Sequence, residues 1–296
     1  MKMAVILVAL GGPRRLSDVP AFVKRFTGRE LPSQAMAEIL NRYRRIGGYS
    51  PIVAITEKQA ELLGQTLGDD YLCLPAFGYV EPCLEEVIAA TLARGIKKVL
   101  ILFMSPFYAY VTCDDYLRRI DLFRKNNPST VKILPVLSWY KEESFVEVWV
   151  EKIKDIFTEE GYFIFSAHSL PKGEKTLIYE DQVKELVEAV ALRVGLKNYA
   201  VGWQSIPAGI DKTMWLTPTT DELITEAASQ GFKTIVLVPI GFTADHIETL
   251  YDIDIFFRSL VETRGIDYKR ISSLNFGSSF INTLRRIVLK NEQMFD

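Results

Sequence analysis

The chain has 296 residues, with 35 Lys+Arg against 37 Asp+Glu, a formal net charge of -2 and 48% hydrophobic residues. That length suggests roughly two domains, and the near-neutral balance leaves no electrostatic footprint for nucleic acid. Three scattered cysteines, Cys73, Cys83 and Cys113, form no Cys-x-x-Cys pair, which argues against a disulfide framework or a four-cysteine zinc site and fits a reducing, cytoplasmic setting.

The first apolar run, residues 4–10, follows a single Lys2 and ends at Gly11-Gly12-Pro13. It is too short for a signal segment or a bilayer span and reads as a buried strand. No uninterrupted apolar stretch of about 18 residues occurs elsewhere, while composition leaves peripheral membrane contact open. Helical patterns are expected at 17–26, 33–45 and 55–67, then a strand at 71–75, a helix at 84–93, a strand at 98–103, a helix at 114–125 and a strand at 132–135. The second half runs helix 142–157, strand 163–166, helix 181–194, strand 199–203, helix 221–229, strand 234–239 and helices 246–263 and 279–289. Strands apolar throughout, each followed by a helix, predict a doubly wound α/β protein with parallel sheets covered on both faces. A faint repeat divides the chain. Gly95-Ile96-Lys97-Lys98-Val99-Leu100 is echoed by Gly231-Phe232-Lys233-Thr234-Ile235-Val236, and the turn at Gly11-Gly12-Pro13 by that at Ser169-Leu170-Pro171. We therefore expect two similar Rossmann-like lobes, 1–140 and 141–296, facing each other across a cleft.

Ligands of open parallel sheets bind beyond the carboxyl ends of the strands. Two such ends carry the only two histidines, in Ala167-His168-Ser169-Leu170-Pro171 and in Phe242-Thr243-Ala244-Asp245-His246-Ile247-Glu248. Both fall on one predicted edge, where a ligand can reach them. Asp245 and Glu248 also have the spacing of a capping box, a purely structural reading. Glu248 and Asp252 lie four apart on one helix face, a repulsive pair that is tolerated if solvated or if it meets cations. An acidic stripe below a strand-edge histidine would suit a metal entry or proton exit path, with His246 and Asp252 as its relay. Gly11-Gly12 is no dinucleotide fingerprint, because the G-x-G-x-x-G pattern is incomplete, and no Walker A motif occurs. The cluster Arg42-Tyr43-Arg44-Arg45-Ile46-Gly47-Gly48-Tyr49-Ser50-Pro51 has two readings. Arginines and Gly47 can simply close a helix, or guanidinium forks and aromatic faces can take a flat, apolar, anionic ligand. Trp215 offers a further aromatic face.

These segments together resemble the ferrochelatases, over essentially the whole chain and in order. The resemblance runs through Leu10-Gly11-Gly12-Pro13, Arg42-Tyr43, Ile46-Gly47-Gly48-Tyr49-Ser50-Pro51, Ser138-Trp139-Tyr140, Phe165-Ser166-Ala167-His168-Ser169-Leu170-Pro171, Val201-Gly202-Trp203-Gln204-Ser205, Trp215-Leu216 and Asp245-His246-Ile247-Glu248-Thr249-Leu250-Tyr251. It implies two Rossmann-like lobes with a porphyrin between them and His168 with Glu248 as the catalytic pair at the iron. It also implies porphyrin contacts at Leu10, Arg42, Tyr43, Ser50, Tyr79, Tyr116 and Trp215. An imidazole and a carboxylate form a sparse N/O set that can pass Fe2+ on, and imidazole suits the uptake of pyrrole protons near neutral pH.

Two departures bear on the substrate. Leu10 stands where many coproporphyrin-metallating relatives have tyrosine, and Tyr79, ahead of Val80-Glu81-Pro82, where they have histidine. Both look like the protoporphyrin type, whereas Tyr199-Ala200-Val201-Gly202-Trp203-Gln204-Ser205 looks like the coproporphyrin type. Protoporphyrin IX is the expected substrate and coproporphyrin III the alternative. Phe256, following Asp252 by four, interrupts the family's carboxylate stripe. Iron is expected as substrate, with no tightly bound cofactor and no iron–sulfur cluster, in a monomeric cytoplasmic protein that touches membranes at most peripherally. The rivals are a non-enzymatic haem or tetrapyrrole carrier, with His168 as axial ligand, and a chelatase for the eight-carboxylate sirohydrochlorin, for which the single arginine cluster looks too weakly basic.

Overall fold

The structure is a computed structural model, and it describes residues 2–127, 131–207 and 209–295. Strands β1 (Met3–Ala9), β2 (Tyr71–Phe77), β3 (Lys98–Phe103) and β4 (Lys132–Val136) form one parallel sheet in the order β2-β1-β3-β4. Strands β5 (Tyr162–His168), β6 (Tyr199–Gln204), β7 (Thr234–Val238) and β8 (Asp267–Arg270) form a second, β6-β5-β7-β8. The two orders are the same permutation, so the segments that echo each other in sequence occupy equivalent places in the two sheets. Gly95 and Gly231 each lead into the third strand of their sheet, and Gly11 and Ser169 each follow the strand that opens it.

Burial follows from helices on both faces. In β1, Met3, Val5, Leu7 and Ala9 face one hydrophobic cluster, while Ala4, Ile6 and Val8 face another with Leu84, Ile88 and Ile120. This is the two-residue alternation of a strand with no solvent side. The helices are α1 (Val19–Thr27), α2 (Ser33–Arg45), α3 (Ile52–Leu67), α4 (Leu84–Ala93), α5 (Tyr110–Asn126), α6 (Glu143–Lys154), α7 (Glu174–Val194), α8 (Thr220–Ser229), α9 (Arg258–Glu262) and α10 (Ser278–Glu292). Helix α10 leaves its own sheet to pack on α3 and α6. There Phe280 lies 6.2 Å from the Trp139 ring, and Trp139 lies 4.8 Å from Phe145. The largest apolar cluster therefore spans both sheets and locks the lobes together. Among the described residues no helix is long and apolar enough to cross a membrane.

Three elements differ from expectation. Strand β8, Asp-Tyr-Lys-Arg, has no apolar alternation to announce it, and it forms because β7 offers a free edge to pair with. Helix α7 begins seven residues early, at Glu174, since exposed Leu177 and Ile178 break its amphipathic pattern. The helix expected over 246–263 is a π-helix from Glu248 to Phe257, continued by α9. Wide π turns are rare and cluster at functional sites.

Candidate active site

The carboxyl ends of β1, β3, β5 and β7 open into an apolar cleft of about 250 Å3. Its walls come from both lobes: Leu10 after β1, Phe26, Ile52 and Gln59 from the helices, Met104 after β3, Val111 and Tyr116 on α5, and Leu170, Tyr179 and 241–244 from the second lobe. His168, His246 and Glu248 line the same cleft.

Local geometry brings these three together. His168 is the last residue of β5, paired with Gln204 of β6. A Cβ on Gly241 would lie only 2.8 Å from the Ala167 Cα, so glycine there lets the loop after β7 close on the histidine strand. His168 Nε2 then lies 3.4 Å from Glu248 Oε1, and His246 Nε2 lies 3.3 Å from Glu248 Oε2. His168 Nδ1 meets the Ser169 carbonyl, and His246 Nδ1 the Ala244 carbonyl at 3.2 Å. A carbonyl only accepts, so in each neutral ring Nδ1 carries the proton and Nε2 turns a lone pair to Glu248. One carboxylate between two such lone pairs must find its donors elsewhere, in an added proton, a cation or the water that its partial exposure admits. Burial alone would raise the Glu248 carboxyl, but the charge of a protonated His168 opposite and the hydrogen bond that a protonated His246 donates outweigh it and hold it at about 2. The site therefore couples one carboxylate to two imidazoles whose charge, once they take up protons, it stabilises. Among the described residues no three His, Cys, Asp or Glu side chains are arranged to hold a metal ion.

The capping box does not form. The Asp245 N–H goes to Asn275 Oδ1, and the Asp245 carboxylate accepts from Arg270, Ser273, Asn275 and Thr249. Glu248 is thereby released from helix capping to face the imidazoles. Burial raises the Asp245 carboxyl, but the Arg270 charge and the Asn275, Ser273 and Arg270 hydrogen bonds prevail and lower it to about 2. Asp252 is buried, accepts from Ser205 Oγ at 2.7 Å and lies 3.7 Å from Arg42 Nη1. The acidic stripe thus meets a cation rather than open solvent. Burial raises its carboxyl, reinforced by the Glu248 charge and opposed by Ser205, Arg42 and His168.

Of the expected porphyrin contacts, Leu10 and Tyr116 line the cleft. Tyr116 is buried against Phe103, with its hydroxyl donating to the Ala9 carbonyl at 3.3 Å, and burial pushes its phenol up. The other five lie outside the lining. Arg42 stacks over the Tyr251 ring at 5.2 Å, a half-exposed cation on α2. Tyr43 is buried with Val19 and Val23, its phenol raised by burial and by the Glu248 charge. Ser50 is buried where a Cβ on Gly12 would strike it at 2.7 Å. Tyr79 packs edge-on to Phe26 at 5.2 Å, and Trp215 bridges backbone to backbone with Pro171. Gly47 and Gly48, both left-handed, end α2 as the structural reading of that cluster required. Sequence reasoning missed Gln59, Met104, Thr243 and Tyr179. Tyr179 donates to the His168 carbonyl at 3.0 Å, but nothing local distinguishes it from any other aromatic on a helix face.

Residues 2–292 match the family model for ferrochelatase. The chain belongs to the ferrochelatase family. Coproporphyrin III ferrochelatase of Geobacillus sp. (strain WCH70) is 32% identical, covering 98% of this chain and 97% of its own. Coproporphyrin III ferrochelatase of Bacillus subtilis (strain 168) is also 32% identical, with the same coverage. Among solved structures, SirB from Bacillus subtilis with Fe3+ superposes with a TM-score of 0.63 at 16% identity, covering 99% of this chain and 98% of that one, which is a likeness of fold. This ferrochelatase is a metal-insertion enzyme whose cleft is walled by both lobes of one chain, with two imidazoles and one carboxylate gathered at its second-lobe end.

Proposed function

We propose that this ferrochelatase inserts Fe2+ into protoporphyrin IX, with His168 and Glu248 as its catalytic residues. The observation that carries this reading is the composition of the cleft. Its lining is apolar but for a few hydroxyls, one amide and the His168–His246–Glu248 group, and it includes no lysine or arginine. Protoporphyrin IX carries two propionates and two vinyls, whereas coproporphyrin III carries four propionates, each of which would have to leave water or find a cation. In the reaction two pyrrole N–H bonds break, four Fe–N bonds form, two to the nitrogens so freed and two to those that already carry lone pairs, and two protons leave. His168 Nε2 takes the first proton as general base. Glu248, ionised because its carboxyl is held low, stabilises the imidazolium and the incoming Fe2+. His246 and Asp252 lie along the route by which protons or metal pass. Arg42, Tyr43, Ser50, Tyr79 and Trp215, outside the lining, are kept as contacts of the ring's outer edge, where Arg42 is the one cation among them for propionates. Iron is substrate, and no resident cofactor is required.

A second reading is supported by the relatives: both ferrochelatases described above are named for coproporphyrin III. Anaerobic Fe2+ insertion into both porphyrins, followed side by side by absorbance, tests the two. A higher kcat/KM for protoporphyrin IX supports the first, and preference for coproporphyrin III replaces it with the second. Tight binding of both without turnover would make the protein a tetrapyrrole carrier.

A further inference from the structure

Beside the Glu248 segment, outside the cleft lining, lies a polar cluster that the reaction does not touch. It is built by β8 and the loop that follows. The Tyr268 hydroxyl donates to the Ile253 carbonyl at 2.8 Å. Arg270 Nη2 donates to Asp245 Oδ1 at 2.6 Å, and its Nε lies 3.2 Å from Asp254 Oδ1. Ser273 Oγ donates to the same Asp245 oxygen at 2.6 Å, and Asn275 Nδ2 to the other at 2.8 Å. Asn275 holds a left-handed φ of 46°, which asparagine tolerates better than most side chains. Its carbonyl accepts from Gln59 Nε2 of α3 at 2.6 Å, so the chain of contacts reaches the first lobe.

Asp245 and Asp254 bracket the stretch that contains His246, Glu248 and Asp252, and one guanidinium lies between their carboxylates, hydrogen-bonded to Asp245 through Nη2 and ion-paired with Asp254 through an Nε that makes no hydrogen bond. A π-helix is less favourable than an α-helix of the same residues and persists where its surroundings hold it. Were residues 248–257 to relax to the tighter α form, the Glu248 carboxylate would swing off the His168–His246 axis.

We propose that Arg270, aided by Ser273 and Asn275, is a positioning residue: its fork between Asp245 and Asp254 holds the π-helical segment in the register that sets Glu248 between the two imidazoles. The kinetic part of this proposal rests on the iron-insertion reading. Lysine in its place supplies charge without the planar fork and cannot serve both carboxylates in the same geometry.

The test compares Arg270→Lys, the milder Ser273→Ala, and the partly exposed neighbour Lys269→Gln with the wild type. It reads kcat and KM for porphyrin and Fe2+, together with hydrogen exchange along the chain. Arg270→Lys is expected to lower kcat by about 10²-fold, the cost of a small displacement in a reacting constellation, with porphyrin KM changed by less than about twofold. Exchange should rise several-fold over 245–257 and stay unchanged in β5. Ser273→Ala should show the same pattern more weakly, and Lys269→Gln none of it. Unchanged kcat in both Arg270→Lys and Ser273→Ala, or exchange that rises throughout the chain in step with the kinetic loss, overturns the proposal. A wild type that inserts iron into neither porphyrin would defeat the functional reading instead. Local exchange in the two variants would then decide the positioning by itself, faster over 245–257 supporting it and unchanged overturning it.

Discussion

Replacing His168 by alanine removes one nitrogen from the reaction and little from the fold. The ring is one-third exposed, at 34%, and its protein contacts are the Ser169 carbonyl and Glu248. Glu248 keeps a partly exposed carboxylate, while the fully buried Ser169 loses one hydrogen bond to its carbonyl. Stability should therefore fall by about 1 kcal/mol, lowering Tm by about 2–4 °C. Catalysis loses its general base, worth about 10² to 10⁴-fold, or about 2.7–5.5 kcal/mol on the barrier. The lower part of that range is expected, since removing the imidazole also frees Glu248 to accept protons. Its carboxyl is held at about 2, against burial, first of all by the His168 imidazole itself, so without that ring burial raises it. Porphyrin affinity should stay close to wild type, because the apolar lining does the binding. Single-turnover insertion under anaerobic conditions, with porphyrin binding followed by fluorescence quenching, separates the two quantities. A loss of less than tenfold, or a loss that appears wholly in porphyrin binding, would refute the assignment of His168 Nε2 as the base.

The Glu248 carboxyl lies below its ordinary value of 4.5, at about 2, so its ionised form stabilises the fold above about pH 4.5 and that contribution fades as pH falls through 2. Urea unfolding between pH 6 and 3 should show a Glu248→Gln variant losing less stability than wild type, by an amount of order 3 kcal/mol or less; equal slopes would mean that the imidazoles do not hold the carboxylate. Phe280→Ala should cost about 3–5 kcal/mol, because the ring is 1% exposed and packs on Trp139 and Phe145, and a loss below about 1 kcal/mol would mean that α10 is not part of the shared core. Val111→Lys adds a cation to the cleft wall at a site 42% exposed. It should raise the coproporphyrin-to-protoporphyrin ratio of kcat/KM by up to about fivefold, the worth of one partly exposed ion pair, and an unchanged ratio would place the extra propionates elsewhere.

Read from residues alone, the chain already determined its doubly wound class, because strands apolar on both faces must be covered on both faces, and seven of the eight described strands carry that pattern. It also determined the two histidine-bearing strand ends, since side chains beyond the carboxyl edge of a parallel sheet are the ones a ligand can meet. Three things were decided by tertiary structure. Strand β8 has too little apolar character to form except against the edge of β7. The π-helix at Glu248–Phe257 depends on support from Tyr268 and Arg270, contributed by a strand that the sequence did not announce. The spacing of Asp245 and Glu248 matched a capping box, yet Arg270, Ser273 and Asn275 engage Asp245 instead, leaving Glu248 free for the imidazoles. Hydrophobic periodicity is a property of neighbours in sequence, whereas the fate of a carboxylate depends on which cations and donors the fold carries to it from far along the chain.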